Sequence, residues 1–475
     1  MDSKSDLFRI SPRIVPENCE IEITVSGRYA HTRLGSYPGK LTIDSVGADG
    51  LFTNGELPGY TCGNGFDIDG RPMFEPVKNA ALDEKGVLRF KYFFRSTGEH
   101  SFRLKNGDRI LGIFSIYSLP EKLLKLRPFR GDMHIHSGFS GCNADPLRLS
   151  PEYMAAICCA RGMDFCSISD HKQHFSSLKA ADFTRQCGGC FTAYPSEEVH
   201  LSDLHNIHIL NFGGQKAVSC TLDPGDPGYD RELAHYLQIV PQFGDRWLRH
   251  LAANWHLICD RIRQAGGLVV FCHPFWRPNE RLFLPECIRE YVFEKHLYDA
   301  LELFGDSNYP ESLDICAARY QEQCLAEGSI IPSLGNSDAH NGDALGINTS
   351  IVFAEYNSLP ALQKAILEGN CIALSRYENS HPRTSGKFEL VNFYHFLKRN
   401  YYPRHDALCM QESELMFQAL ENGGSDSEYD EFITLPYKQR KDSSRILKKI
   451  TFAPDTAAFA ALKARRAELD KEFWN

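Results

Sequence analysis

Between about residues 130 and 376, short apolar runs alternate with helical stretches, and few folds are open to a chain with that pattern. Ser150-Pro151-Glu152 supplies an N-cap, a proline for the first turn and an early acid. A helix is predicted from there to about Ala160, with Gly162 stopping it. Met163–Ser169 then reads as a strand. The unit recurs as a helix over about Asp245–Gln264, the pair Gly266-Gly267 and a strand over Leu268–Cys272. It recurs again as a helix over about Glu311–Glu327, Gly328 and a strand over Ser329–Leu334. Phe191–Tyr194, Ile207–Phe212, Asp299–Phe304 and Thr349–Phe353 are further strand candidates. Strands alternating with helices imply a mostly parallel sheet, and about seven such units predict a closed barrel.

The flanks have a different character. Residues 1–125 carry short alternating runs, such as Glu20–Val25, Val87–Phe94 and Ile110–Tyr117, set between Gly, Pro, Asn and Asp clusters. Ser96–Leu104 reads as a turn leading into another strand. This pattern predicts a small all-β sandwich, immunoglobulin-like in kind, joined to the α/β region by Pro120–Pro128. Residues 377–475 read as a helical C-terminal extension, with helices over Phe388–Leu397, Gln411–Leu420 and Asp455–Phe473. Between them lie an acidic loop, Asn422–Glu431, and a basic run, Lys438–Arg445, which reads as a solvated face. The expected division is therefore 1–125, 130–376 and 377–475.

At 475 residues the chain is too long for one core and is ordinary in its 43% hydrophobic and 24% charged content. A formal net charge of −9 argues against a general surface for long nucleic acid or anionic membranes, although a local basic pocket is compatible with it. The N-terminus lacks the apolar core of a signal peptide, and no run approaches the ~18 apolar residues of a spanning helix. The expected location is cytoplasmic, and the sixteen cysteines then read as reduced, mostly buried small apolar residues. Cys187-Gly-Gly-Cys190 has redox or zinc-knuckle spacing but no second pair to match, so a glycine turn is predicted there.

The chemistry is concentrated at the strand ends. His134 and His136 stand two apart, so on a strand both imidazoles face the same way, and two on one face make half a metal site. Asp170-His171 comes directly after the Met163–Ser169 strand, and Glu197-Glu198 comes after Phe191–Tyr194. Ile207–Phe212 carries His208. His273-Pro274 comes after Leu268–Cys272, and Asn336-Ser337-Asp338-Ala339-His340 after Ser329–Leu334. In a parallel barrel these strand ends share one mouth. So many imidazoles and carboxylates would be badly paired there without metal. Glu302, ending Asp299–Phe304, is a candidate to support the ligands from behind. His174, His235, His250, His256 and His296 read as surface or structural histidines.

This series of motifs resembles the PHP (polymerase and histidinol phosphatase) superfamily: Asp132-Met-His134-Ile-His136-Ser, Ser169-Asp-His171, Glu198 with His208 after it, Cys272-His273-Pro274 and Ser337-Asp338-Ala-His340. Pro195–His200, with Gly131-Asp132, looks most like the CehA/McbA-type metallohydrolase branch. The resemblance covers roughly residues 130–375 and implies a distorted (β/α)7 barrel with two or three divalent ions (Mn, Fe or Zn) at its mouth. It implies that His134, His136, Glu198 and Asp338 hold a first metal, that Glu198 bridges to a second held by His208 and His273, and that His171 and His340 serve a third. Glu198 is chosen over Glu197, and His208 over His205. The family pattern has Phe-Ser-Asp-Gly where this chain has Phe139-Ser140-Gly141-Cys142. Asp145 and Cys142 are the candidates to replace that aspartate, and a two-metal centre is the alternative.

Adjacent divalent ions can present a bridging hydroxide to an electrophile and neutralise charge on its oxygens, which suits phosphate esters. The expected activity is hydrolysis of a small phosphate mono- or diester. His171, His340 and Asp338 are the expected catalytic residues, the two histidines as proton donors to a leaving alkoxide. Lys172 and Arg277 are expected to bind substrate. The alternatives are a carboxylic or carbamate ester hydrolase using the same metals, and a catalytically degenerate scaffold.

Overall fold

The computed structural model describes residues 7–46, 75–140, 142, 149–201, 204–278, 283–305, 310–376, 382–422 and 451–474. The chain falls into two units. The first comprises 1–126, 392–405 and 464–475, and the second 127–391 and 406–463. The last hundred residues are thus divided between the two units. The acidic stretch beyond Asn422 and the basic run Lys438–Arg445 lie outside the described residues.

The first unit is built on two sheets. One has the order β1 (Phe8–Ser11), β3 (Cys19–Gly27), β7 (Leu88–Phe94) and β6 (Ala81–Leu82), all antiparallel. The other runs β2 (Ile14–Pro16), β9 (Arg109–Leu119), β8 (Gly98–Asn106), β4 (Leu41–Val46) and β5 (Glu75–Pro76), antiparallel except where β2 joins β9. Alternate residues of β7 and β8 point inward, so Phe90, Phe94, Phe102 and Leu104 share one core with Val25, Ile43 and Phe114. A short helix, α1 (Glu121–Leu124), comes after β9. Tyr117 packs its ring 5.0 Å from Phe393 and 5.3 Å from Phe396, which brings C-terminal helical residues into this unit.

The second unit holds two more sheets. In the first, β10 (Arg127–Ile135), β11 (Phe165–Ile168) and β12 (Thr192–Ala193) run parallel, while β18 (Asn348–Ala354), β19 (Cys371–Ser375) and β20 (Arg383–Gly386) continue it antiparallel on the other side of β10. In the second, β13 (Glu198–Leu201), β14 (Leu204–Phe212) and β15 (Leu268–Phe271) pair antiparallel, whereas β15, β16 (Ala300–Phe304) and β17 (Ser333–Gly335) pair parallel. The expected mostly parallel sheet is therefore mixed. Parallel pairing needs a crossover of a dozen or more residues, and only two residues separate β13 from β14. No continuous ladder closes these strands into a barrel among the described residues. Two isolated parallel bridges, Ile135 to Ala339 and His171 to Glu198, link the sheets.

The helices of this unit are α2 (Pro151–Ala160), α3 (Phe175–Cys187), α4 (Pro227–Ile239), α5 (Arg246–Gln264), α6 (Glu286–Glu294), α7 (Pro310–Glu327) and α8 (Leu359–Leu367). The C-terminal helices are α9 (Phe388–Asn400), α10 (Tyr402–Glu421) and α11 (Thr456–Trp474). Ser150 caps α2 by accepting from Tyr153 N (3.2 Å), as its sequence predicts, and Asp245 caps α5 by accepting from Trp247 N (2.6 Å). Gly188, at φ +68°, ends α3, so Cys187 and Cys190 flank the predicted turn. Glu412 of α10 fastens that turn by accepting from Cys190 N (2.7 Å) and Phe191 N (2.8 Å). Among the described residues no helix is long and apolar enough to cross a membrane.

Candidate metal centre

Four strand ends, those of β10, β11, β15 and β17, and the hairpin β13–β14 bring seven imidazoles together around one carboxylate. Ring centroids succeed one another at 5.2 Å (His134–His136), 4.5 Å (His136–His171), 4.1 Å (His171–His200), 3.7 Å (His200–His208), 5.2 Å (His208–His273) and 5.4 Å (His273–His134), which closes a circuit. His340 stacks on His136 at 4.3 Å. Glu198 stands inside the circuit. Its Oε2 lies 2.7 Å from His171 Nδ1 and 3.4 Å from both His134 Nε2 and His136 Nε2. Its Oε1 lies 2.7 Å from His208 Nδ1 and 3.2 Å from His273 Nε2. Asp338 Oδ1 closes one side, 3.0 Å from His136 Nε2 and 3.2 Å from His134 Nε2.

The chain around this cluster is arranged to hold it. Glu302, buried on β16, accepts from His134 Nδ1 (3.0 Å) and Asn336 Nδ2 (2.9 Å) at one oxygen and from His273 N (3.0 Å) at the other. Because the carboxylate accepts, His134 carries a proton on Nδ1 and turns Nε2 toward Glu198. His340 Nδ1 donates to the Asp338 carbonyl (2.9 Å), so Nε2 is the ring nitrogen left to face the cluster. Asp132 accepts from His134 N (3.1 Å) and Ser337 N (3.2 Å), tying β10 to the segment after β17. Lys172, His273 and Asp338 have φ of +57°, +26° and +50°, and such left-handed backbone in non-glycine residues costs of order 1 kcal/mol or more each. All three lie at or beside the cluster.

The two adjacent glutamates separate by strand alternation. Glu198 enters the cluster. Glu197 faces away, accepting from Asn211 Nδ2 (3.2 Å), Val218 N and Ser219 N (3.4 Å). His208 is in the cluster, and the side chain of His205 lies outside the described residues, as do Gly141 and Asp145. Lys172 N donates to the Glu198 carbonyl (3.2 Å). Arg277 is exposed, one residue past Trp276, whose ring is 5.7 Å from His208. His174 donates from Nε2 to the Gly214 carbonyl (2.7 Å), a buried structural role.

The electrostatics are severe. Burial alone would keep these imidazoles neutral, but Glu198 overrides it at His171, raised to about 10, and Asp338, Glu302 and Glu198 together hold His134 well above its ordinary value. Burial, then the charge of His171, pushes His136 down to about 3. Burial also brings His200 to about 4 and, with His200 itself, keeps His208 well below its usual range. Glu198 and Asp338 stay ionised despite burial because imidazoles surround them. Burial lifts Asp132 to about 7.

Five buried atoms of the cluster, His134 Nε2, His171 Nδ1, Glu198 Oε2, His200 Nε2 and His208 Nδ1, make no hydrogen bond. They lie close to one another, yet their geometry is wrong for donor and acceptor. Buried ligand atoms converging in this way fit divalent cations, and imidazole with carboxylate is the donor set of Mn, Fe and Zn. Ligand atoms fall within 4.8 Å of one another in several groups: His134, His136 and Glu198; Glu198, His208 and His273; His171, Glu198 and His200; His134, Cys272 and His273; and His136, Cys142, His171 and His340.

His200 is a member of the cluster that the strand-end pattern of the sequence does not single out. A signal for it is present all the same, because His200 stands two residues past Glu198 on a strand, the same spacing that singles out His134 and His136. Its partner across the hairpin is His208.

No family model and no curated protein matches the chain. Among solved structures it is similar to a two-domain protein from Bacteroides vulgatus containing a predicted PHP-like metal-dependent phosphoesterase, with 15% identity over 57% of this chain and 70% of that one and a TM-score of 0.37. It is also similar to an amidohydrolase from Chromobacterium violaceum, with 16% identity over 53% and 99% of the two chains and a TM-score of 0.30. A third is the lesion-specific endonuclease from Pyrococcus furiosus, with 16% identity over 51% and 56% and a TM-score of 0.28. Likeness at this level carries no activity over to this chain, and the cluster's own geometry has to supply the chemistry.

Proposed function

We propose that this chain is a metal-dependent hydrolase of the PHP type, acting on small phosphate mono- or diesters. The observation that carries the proposal is Glu198, one buried carboxylate facing six imidazoles, with five polar atoms of the cluster left without hydrogen bonds. His134, His136 and Asp338 would hold one ion with Glu198, and His208 and His273 a second. Ions bound there lower the pKa of water and neutralise charge gathering on ester oxygens. The remaining work belongs to the chain. Glu302 fixes the His134 ring. His340, whose side chain is 38% exposed, is open to a substrate and positioned to give a proton to a leaving alkoxide. Lys172 and Arg277 are proposed to face the substrate anion. We read β10, β11 and β13–β17, with the two isolated bridges, as an opened form of the (β/α)7 barrel. Pro195–His200 supports a place in the CehA/McbA-type branch.

The test is to load metal-free protein with manganese, iron(II) or zinc, count bound metal, and compare turnover of an aryl phosphate with that of an aryl carboxylic ester. About two equivalents and faster phosphate turnover are expected. Faster ester turnover would assign the centre to carboxylic or carbamate esters. Less than one equivalent would return the chain to a scaffold role.

A further inference from the structure

An aromatic wall that the proposed hydrolysis does not use borders His208 and His273. The Trp276 ring lies 5.7 Å from His208 and 5.4 Å from His273, and the Phe283 ring lies 4.4 Å from His208 and 4.8 Å from Trp276. The wall is fixed from behind. Trp276 N donates to the His273 carbonyl (3.0 Å), and Phe283 N donates to the Trp276 carbonyl (3.0 Å). Phe275, one residue earlier, serves the core instead. Its ring lies 4.3 Å from the Arg289 guanidinium, and its carbonyl accepts from Ser312 Oγ (2.9 Å). Burial divides the three aromatics in the same way. Phe275 is 5% exposed, whereas Trp276 and Phe283 are only half-buried. Aromatic surface left uncovered beside a cluster of convergent polar groups is the make-up of a small-molecule site.

We infer that Trp276 and Phe283 form the leaving-group subsite, and that the ester cleaved carries a flat aromatic ring bonded directly to its bridging oxygen, as in phenyl phosphate. The inference rests on the phosphate-ester reading above and names the substrate class within it. A flat ring gains from stacking on, or meeting edge-on, a Trp or Phe face beyond the area it buries, and a small alkyl group has no such gain. Reach decides between kinds of ring. Both aromatics adjoin His208 itself, so a phosphoryl group bound beside His208 and His273 leaves a directly bonded ring against the wall. A nucleobase, held away from its phosphate by a sugar, overshoots it.

The experiment measures calorimetric affinities of the metal-loaded full chain for phenylphosphonate and methylphosphonate, neither of which has an ester bond to cleave. Beside these it measures kcat/KM for phenyl phosphate and adenosine monophosphate, and counts bound metal in every variant. Wild type is expected to favour phenylphosphonate by about tenfold or more. Trp276→Ala should abolish that preference with bound metal unchanged, and Trp276→Phe, which keeps a ring, should retain most of it. Trp247→Phe, at an exposed tryptophan of α5, should leave it as it is. Equal wild-type affinity for the two phosphonates would overturn the inference whether or not the variants fold. So would a Trp276→Ala variant that keeps the preference or loses affinity for both phosphonates alike. A larger kcat/KM loss for adenosine monophosphate than for phenyl phosphate in Trp276→Ala would overturn the directly bonded ring. In all these cases the ion positions that share Glu198 stand. Less than one equivalent of metal in the wild type would instead overturn the metal-centre reading itself.

Discussion

Adjacent residues with the same side chain perform opposite tasks here, and this gives a clean test. Glu198→Gln removes the charge that six imidazoles face. Bound metal is expected to drop below one equivalent and turnover by more than about a hundredfold. Glu197→Gln disturbs only the contacts to Asn211, Val218 and Ser219. It should cost about 1–3 kcal/mol of stability in urea unfolding and leave metal content unchanged. Equal metal loss in both variants would refute the assignment. His200 makes a pH prediction for the metal-free protein. Its pKa is about 4 in the fold against an ordinary 6.5, so the unfolded chain takes the proton first and stability is lost as pH falls below 6.5 toward 4. At pH 5.5 that loss is about 1 kcal/mol, and His200→Asn should shrink the stability difference between pH 7 and 5.5 by about that amount. An unchanged difference would mean that His200 is not held neutral. Much of this site was legible one residue at a time, because His134, His136, His171, Glu198, His208, His273, Asp338 and His340 each sit at or near a strand end. His200 escaped because β13, the strand carrying it, was not foreseen.

At the scale of elements, the helices announced by chemistry at both ends were legible. Ser150-Pro151 with Gly162, and Asp245 with Gly266, bracket α2 and α5 within a residue or two. The α3 helix begins at Phe175, and His174 before it supplies no capping side chain, so no local signal marks its start. Strand direction was the larger miss. Alternation of strands and helices implied parallel pairing, but the two-residue link after Leu201 forces β13 and β14 into a hairpin, and that hairpin presents Glu198, His200 and His208 from one place. The contribution of β16 is its single buried carboxylate. Glu302→Ala leaves His134 Nδ1, Asn336 Nδ2 and His273 N without their acceptor. Metal affinity, measured by competition with a chelator, should fall about 10–100-fold, with Glu302→Gln closer to wild type. Unchanged affinity in Glu302→Ala would show that β16 does not orient the ligands.

At the scale of the whole molecule, the C-terminal residues are shared between the two units. Residues 392–405 and 464–475 belong with the β sheets of the first unit, and 406–463 with the metal-centre unit. Helical periodicity identifies an amphipathic segment but not the core it serves, which is why this could not be read from sequence. One helix, α11, illustrates the consequence. Its Phe459 is buried in a core with Phe183 and Cys187, near the turn that carries Gly189. Its Phe473 is fully buried in the other unit, with its carbonyl accepting from Arg13 N (3.0 Å) and its ring 5.2 Å from Tyr401, while neighbouring Glu472 pairs with Arg28 (2.8 Å) and Arg404 (2.7 Å). Removing a buried phenylalanine side chain costs about 3–5 kcal/mol, so Phe459→Ala and Phe473→Ala should each lower the urea midpoint by an easily measured amount. Deleting 451–475 removes both anchors and should destabilise both units, with loss of metal retention accompanying loss of β-sheet signal. A deletion variant that keeps full metal content and the wild-type urea midpoint would show that α11 is dispensable to both cores.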